Sequence, residues 1–222
     1  MSTSADRPFT VPEVADYERR RYRGLDQRLV HGREMRILRS LLGAARPLRS
    51  APVLDMPCGF GRFSGLLEET GGRVVSGDYS GAMVAQALRR RTSAAPPLGV
   101  VTDAKRGLPF ADGVFGLVFS IRFFHHLRER EHRRAVLGEL ARVSGEWAVI
   151  SYYRLNPLHR GQRILRRAVK RSRTRISMIS GSEFREDAAR AGFRTVISRS
   201  LFPGLHAQTF VLLKKENTKR SA

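Results

Sequence analysis

Val53-Leu54-Asp55-Met56-Pro57-Cys58-Gly59-Phe60-Gly61-Arg62-Phe63-Ser64 is the stretch on which the reading of this 222-residue chain turns. Two apolar residues and an acid read as the end of a short buried strand. Pro-Cys-Gly-Phe-Gly reads as a tight turn, and the residues from Arg62 as the opening of a helix. Glycine has no Cβ, so the backbone can come close to a ligand. The free N–H groups at a helix start favour a negatively charged group. Such a turn at the carboxyl end of a first strand is the setting of a nucleotide-type cofactor site.

Working outward, the chain has the length of one α/β domain with a decorated edge. No apolar run approaches the roughly 18–20 residues that span a membrane, and MSTSADRPF lacks a signal-peptide core. With Cys58 as the one cysteine, no internal disulfide can form, and a cytoplasmic protein is expected. The net charge is +21, and only five of the 41 basic residues are lysine. Arginine-biased codon usage is one explanation. An anionic partner, whether RNA, an acidic membrane surface or a phosphorylated substrate, is the other.

From Glu13 to about Leu42 the apolar spacing predicts helix, divided at Gly24 and Gly32, with Tyr17, Arg20 and Tyr22 available to face inward as a lid. After strand one, a helix over 62–70 stops at Gly71-Gly72. A second strand leads to Asp78, and Ser80 can cap the helix carrying Met83, Val84, Ala87 and Leu88. A short strand ends at Asp103, and the apolar run 114–120 suits a central parallel strand. RFFHHL is followed by a helix from Arg130 to Val143, a strand over 147–153 and a basic insertion over 154–175. A helix capped by Ser182 and two strands, 193–201 and 207–213, complete the pattern. The sum is an α/β fold with a mainly parallel sheet, helices on both faces and an antiparallel C-terminal hairpin.

Asp55, Asp78 and Asp103 each end a predicted strand, and successive strand ends line one crevice in such sheets. An acid after strand two suits a pair of ribose hydroxyls, and one after strand three an adenine amino group. Over about Val53 to Leu213 the sequence resembles the class I S-adenosylmethionine (SAM)-dependent methyltransferases, of the small methyltransferase-domain type. VLDMPCGFGRFS is similar to the first motif and VVSGDYSGAM to the second. DAKRGLPFADGVFGLVFSIRFFHHL is similar to the third and fourth, and GELARVSGEWAVISYY with AGFRTV to the later landmarks. The resemblance implies a Rossmann-like, doubly wound seven-stranded sheet. It implies an N-terminal lid segment over 1–45, the methyltransferase domain over 46–214 and a disordered tail over 215–222. It also implies SAM as cofactor, with Asp55, Gly59 and Gly61 at its methionine end, Asp78 on the ribose, Tyr79 beside the adenine, Asp103 and Ala104 at the adenine edge, and the Ser120 backbone near the methionyl amine. Pro57 stands where the family often has its first glycine, and Gly116 where an Asp commonly begins strand four. A dehydrogenase is disfavoured, since no tyrosine has a lysine four residues on, as one large dehydrogenase class requires.

For the methyl acceptor, Arg122, His125, His126, Tyr152, Tyr153 and His159 are the nearby candidates, with Tyr17 and Arg20 from the lid. His125 or His126 could take a proton from a hydroxyl, or the pair could simply pack the following helix. The insertion holds eight arginines and Lys170, and no acid occurs between Trp147 and Ser182. A solvated lid helix, a peripheral contact with an anionic inner membrane surface and an RNA contact all fit it. Sparse aromatic interleaving weakens RNA, so the expected acceptor is small or lipid/saccharide-linked and anionic, methylated on oxygen. An RNA-directed methyltransferase and a non-catalytic SAM-binding protein are the alternatives. No metal site is expected.

Overall fold

The computed structural model describes residues 13, 25–45, 51–93, 96–155, 177–204 and 206–216. Helix α1 (Leu25–Ala45) is followed by β1 (Val53–Asp55), α2 (Ser64–Glu68), β2 (Val74–Asp78), α3 (Gly81–Arg89) and β3 (Leu98–Val101). Then come β4 (Phe115–Ser120), a 3-10 turn (Phe124–His126), α4 (Arg130–Val143) and β5 (Ser144–Tyr153). Helix α5 (Gly181–Arg190), β6 (Phe193–Ser200) and β7 (Gln208–Lys215) complete the described elements.

The seven strands form one sheet in the order β3-β2-β1-β4-β5-β7-β6. β1 to β5 pair in parallel, whereas β7 runs antiparallel to both β5 and β6. This is the Rossmann-like, doubly wound arrangement expected from the alternating pattern and closing hairpin. The apolar runs of β1, β2, β4 and β5 are buried along nearly their whole length because helices cover both faces.

Each face has its own core. On one, Leu38, Leu41, Leu42 and Ala45 of α1 and Leu66 and Leu67 of α2 pack on Val53, Val74, Leu117, Phe119 and Val149. On the other, Val136, Leu137 and Leu140 of α4 and Phe184 and Ala188 of α5 pack on Leu54, Val75, Val118, Ala148 and Ile150. The two sets alternate along each strand, as a pleated sheet requires.

Three local expectations are corrected. Gly32 does not divide the N-terminal helix: α1 runs unbroken through it. A glycine inside a helix costs about 1 kcal/mol, less than the buried leucine stripe further along returns. Helix α2 is shorter than 62–70, because 61–63 belong to the turn. Helix α5 is capped by Ser180 rather than Ser182: Ser180 is extended (φ −67°, ψ 150°) and its hydroxyl accepts from Glu183 N at 3.0 Å, the reach of an N-cap to the third helical residue. Ser80 caps α3 as expected, accepting from Met83 N.

Gly116 also gains a reason. A Cβ there would lie 2.5 Å from the Cβ of Ala51, so the position has no room for a side chain. No helix among the described residues is long and apolar enough to cross a membrane.

Candidate functional site

The strand register places the three acids along one rim. Asp55 pairs with Ser76, two residues short of Asp78; Asp78 pairs with Val101, two residues short of Asp103. Asp55 is 1% exposed, and its Oδ2 has no hydrogen-bond partner among the described residues. Burial first, and the Asp78 charge second, push its carboxyl well above the ordinary carboxylate range. Asp78 accepts from Gly59 N at 3.0 Å through Oδ2 and from Ser80 N at 2.9 Å through Oδ1. Burial raises its proton affinity and these N–H bonds pull it back. Asp103 Oδ1 accepts from Lys105 N at 3.0 Å, so this acid also caps its own turn. Tyr79 is half exposed beside Asp78, and Ala104 is buried in the core.

The glycine turn is tied down by Cys58 N donating to Gly77 O at 2.7 Å. Its two glycines have left-handed backbones for different reasons. Gly61 (φ +77°) packs on α3: a Cβ there would sit 2.6 Å from the Cα of Ala87. Gly59 (φ +53°) faces open space, with nothing within 4 Å of a Cβ. Close approach by a ligand is therefore available at Gly59. Cys58 is buried, and burial with the neighbouring Asp55 and Asp78 charges pushes its thiol far up, so it is no nucleophile.

Further along the rim, Ser120 is fully buried and its Oγ has no partner among the described residues. Arg122 has a left-handed backbone (φ 61°), and its N–H donates to Ser151 Oγ at 2.8 Å. The His125 ring lies 4.0 Å from His126 and 4.7 Å from Tyr153, centre to centre, and Tyr153 lies 6.1 Å from His206. Tyr152 turns to the opposite face, 3% exposed and stacked on Phe184 at 4.2 Å. The structure thus gathers His125, His126 and Tyr153 and leaves the Tyr152 ring in the core. Tyr17, Arg20 and His159 lie outside the described residues, as does most of the basic insertion.

The strongest site feature missed by the sequence reading is Glu34 of α1, which is fully buried. Its carboxylate accepts both Arg122 Nε and Arg122 Nη2 at 3.1 Å, meets Arg62 Nη2 and accepts Gln208 Nε2 at 3.1 Å. Arg62 follows the glycine turn, Arg122 follows β4 and Gln208 opens β7, so one carboxylate pins α1 across three parts of the rim. Arg62 also contacts His31 Nδ1 at 2.8 Å, and burial followed by the Arg62 charge lowers the proton affinity of that imidazole. A signal existed: Glu34 lies at helical spacing with Leu38, Leu41 and Ala45, an acid on the apolar stripe. Among the described residues, no group of His, Cys, Asp and Glu is placed to hold a metal.

Residues 54–146 match the family described as "Methyltransferase domain". The chain is 36% identical over 137 residues to the demethylmenaquinone methyltransferase of Beutenbergia cavernae, covering 62% of this chain and 54% of that protein. It therefore spans about half the length of the curated relative it matches. Among solved structures, the magnesium protoporphyrin IX methyltransferase of Synechocystis PCC 6803 with bound S-adenosylhomocysteine (SAH) has a TM-score of 0.74 at 15% identity, covering 91% of this chain and 94% of that one. A TehB-like SAM-dependent methyltransferase from Corynebacterium glutamicum has a TM-score of 0.62 at 20% identity, covering 93% and 100%. At these identities the structural likeness is one of fold. Residues 54–146 thus match a methyltransferase domain, and they lie within a fold that the chain shares with solved SAM-dependent methyltransferases.

Proposed function

We propose that the protein methylates an oxygen of a small or lipid/saccharide-linked anionic acceptor, at the cytoplasmic face of a membrane or free in the cytoplasm. The observation that carries the cofactor half is the buried Asp55 carboxylate, whose Oδ2 has no hydrogen-bond partner among the described residues, together with the open face of Gly59. A buried polar atom without a partner is costly, and a cationic ammonium group is the kind of ligand that would relieve it. SAM, when bound, supplies a methyl group on a sulfonium, already a good leaving group. Asp55, Gly59 and Gly61 would hold its methionine end. Asp78 keeps lone pairs beyond the two N–H bonds it accepts and can take ribose hydroxyls. Tyr79, Asp103 and Ala104 would border the adenine, and the Ser120 backbone the amine.

On the acceptor side, His125 and His126 are the candidate bases, with Tyr153 and His206 beside them. A neutral imidazole there would take the hydroxyl proton as the oxygen attacks. Positioning alone supplies much of the acceleration in such a transfer. Demethylmenaquinone, for which the relative is named, is the contrasting acceptor to assay: it is a neutral quinone, and its methylation on carbon would count against this reading.

Titration calorimetry with SAH tests the cofactor half: binding is expected, weakened about tenfold or more by Asp78→Ala. Folded wild-type protein that binds neither SAM nor SAH would overturn the proposal. For the acceptor half, nuclear magnetic resonance of the methylated product should show an O-methyl group. A C-methyl or N-methyl product would refute oxygen transfer.

A further inference from the structure

Two arginines beyond the cofactor crevice crowd one backbone position with no counter-charge among the described residues. Arg154 directly follows β5, and Arg185 lies in α5. A Cβ on Gly181 would be 3.3 Å from Arg154 Nε and 3.4 Å from Arg185 Nη1, so both guanidinium groups crowd one backbone position. Neither makes an ion pair with a carboxylate of the described residues. The contrast is local: on the same helix Glu183, Glu186 and Asp187 are all taken by Arg130, Arg133 and Arg134 of α4. Glu183, two residues before Arg185, is bound by Arg133. Two like charges held together at a surface mark a place where an anion lowers the energy.

A second observation points to the same place. Tyr152 is 3% exposed and stacks on Phe184 of α5. Burial raises the proton affinity of the Tyr152 hydroxyl, and the charges of Arg154 and Arg185 both act against the rise. The spot is also the start of α5. Ser180 caps Glu183 N, while the N–H groups of Gly181 and Ser182 lie ahead of the intrahelical ladder.

We propose that Arg154 and Arg185, with the Tyr152 hydroxyl and the opening turn of α5, bind a phosphate group carried by the methyl acceptor. This rests on the methyltransferase reading above and gives its anionic acceptor a chemical class. Guanidinium groups present paired N–H donors that match phosphate oxygens, and helix-start amides add to them. The placement suits an acceptor. Arg154 is next to Tyr153, whose ring packs on His125, and Ser177 N donates to His125 O at 3.0 Å. Arg154 shares the face of Tyr152 rather than that of Tyr153, so a phosphate held there lies around the end of β5 from the histidine pair, and the acceptor would reach across that strand end.

The test uses the full chain at constant ionic strength, set with chloride. Inorganic phosphate is titrated by calorimetry, and vesicles of phosphatidylglycerol are compared with vesicles of phosphatidylcholine by flotation. Saturable phosphate binding is expected, weakened about tenfold or more by Arg154→Ala and by Arg185→Ala, and kept by Arg199→Ala on the exposed face of β6. Phosphatidylglycerol binding lost in the same two variants, with no response to free phosphate, supports a lipid headgroup as the phosphate source. Response to free phosphate without vesicle binding supports a soluble phosphorylated acceptor. Both arginines are exposed, so the variants should fold, and circular dichroism checks this. SAH affinity should be unchanged throughout; a wild type that binds phosphate but not SAH would sink the methyltransferase reading and leave the anion site standing. Equal binding by wild type and both variants, or no binding above chloride in either arm, overturns the site.

Discussion

Asp55 is buried, one oxygen without a partner among the described residues, and it feels the charge of the second acid Asp78. The folded protein therefore prefers it protonated. Because its pKa is raised on folding, it contributes no penalty below the unfolded value of about 3.9; above that the penalty grows with pH until the folded pKa is passed. Asp55→Asn should then raise the melting temperature of the ligand-free protein at pH 7 while weakening SAH binding. Differential scanning fluorimetry with and without SAH reads both effects, and a lowered melting temperature in the ligand-free variant would contradict the burial argument. The two glycines of the turn separate in the same way. Gly61→Ala drives a Cβ into α3 and should cost about 1–3 kcal/mol in urea unfolding. Gly59→Ala meets open space, costs only the left-handed backbone, roughly 1–2 kcal/mol, and should lose SAH affinity out of proportion to stability. The sequence pattern made this turn legible, since strand, acid and glycines are contiguous. It could not tell a glycine that admits a ligand from one that admits a helix, because Ala87 lies 26 positions away from Gly61.

The leucine stripe of helix α1 was visible from spacing alone. Its attachment was not. Glu34 reaches Arg122 across 88 positions and Gln208 across 174, and pairings of that range leave no local trace beyond an acid on an apolar stripe. The element's hold on the rim depends on this one carboxylate. Glu34→Ala would leave the largely buried Arg62 and partly buried Arg122 guanidinium groups without it, and should cost about 3–5 kcal/mol in chemical denaturation. Glu34→Gln keeps acceptor oxygen and volume and should cost less. Equal losses would mean that packing rather than charge fastens the helix. The α5 cap shows the same limit at shorter range: Ser180 and Ser182 are both good cap residues, and only backbone conformation chooses Ser180.

Across the whole molecule, part of the arginine excess is used internally. Some arginines are internal ties: Arg91 to Glu68, Arg142 to Glu139 and Asp112, and Arg130, Arg133 and Arg134 to the acids of α5. Asp187 illustrates the balance, since burial pushes its carboxyl up but the bonds from Arg130 and Arg134 bring it below the ordinary value. A depressed carboxylate pKa contributes stability above the unfolded value of about 3.9, and that stability is lost as pH falls through the folded pKa. Urea midpoints measured from pH 6 down to pH 3 should fall, and Asp187→Asn should flatten the fall. An unchanged slope in that variant would show that other carboxylates govern acid unfolding. The overall topology was readable because alternation, strand-end acids and turn residues are all local, whereas the charge ties join elements α4 and α5 about 50 residues apart in sequence. The strand order has one more consequence. β7 lies between β5 and β6, so the flank of β5 has no neighbour until residues 208–215 have left the ribosome. During synthesis the Trp147–Tyr153 edge is an open, apolar ribbon, exposed to pairing with another nascent chain. Translation speed and chaperone supply over the last segment of β-structure should therefore govern the yield of this protein more than its final stability does.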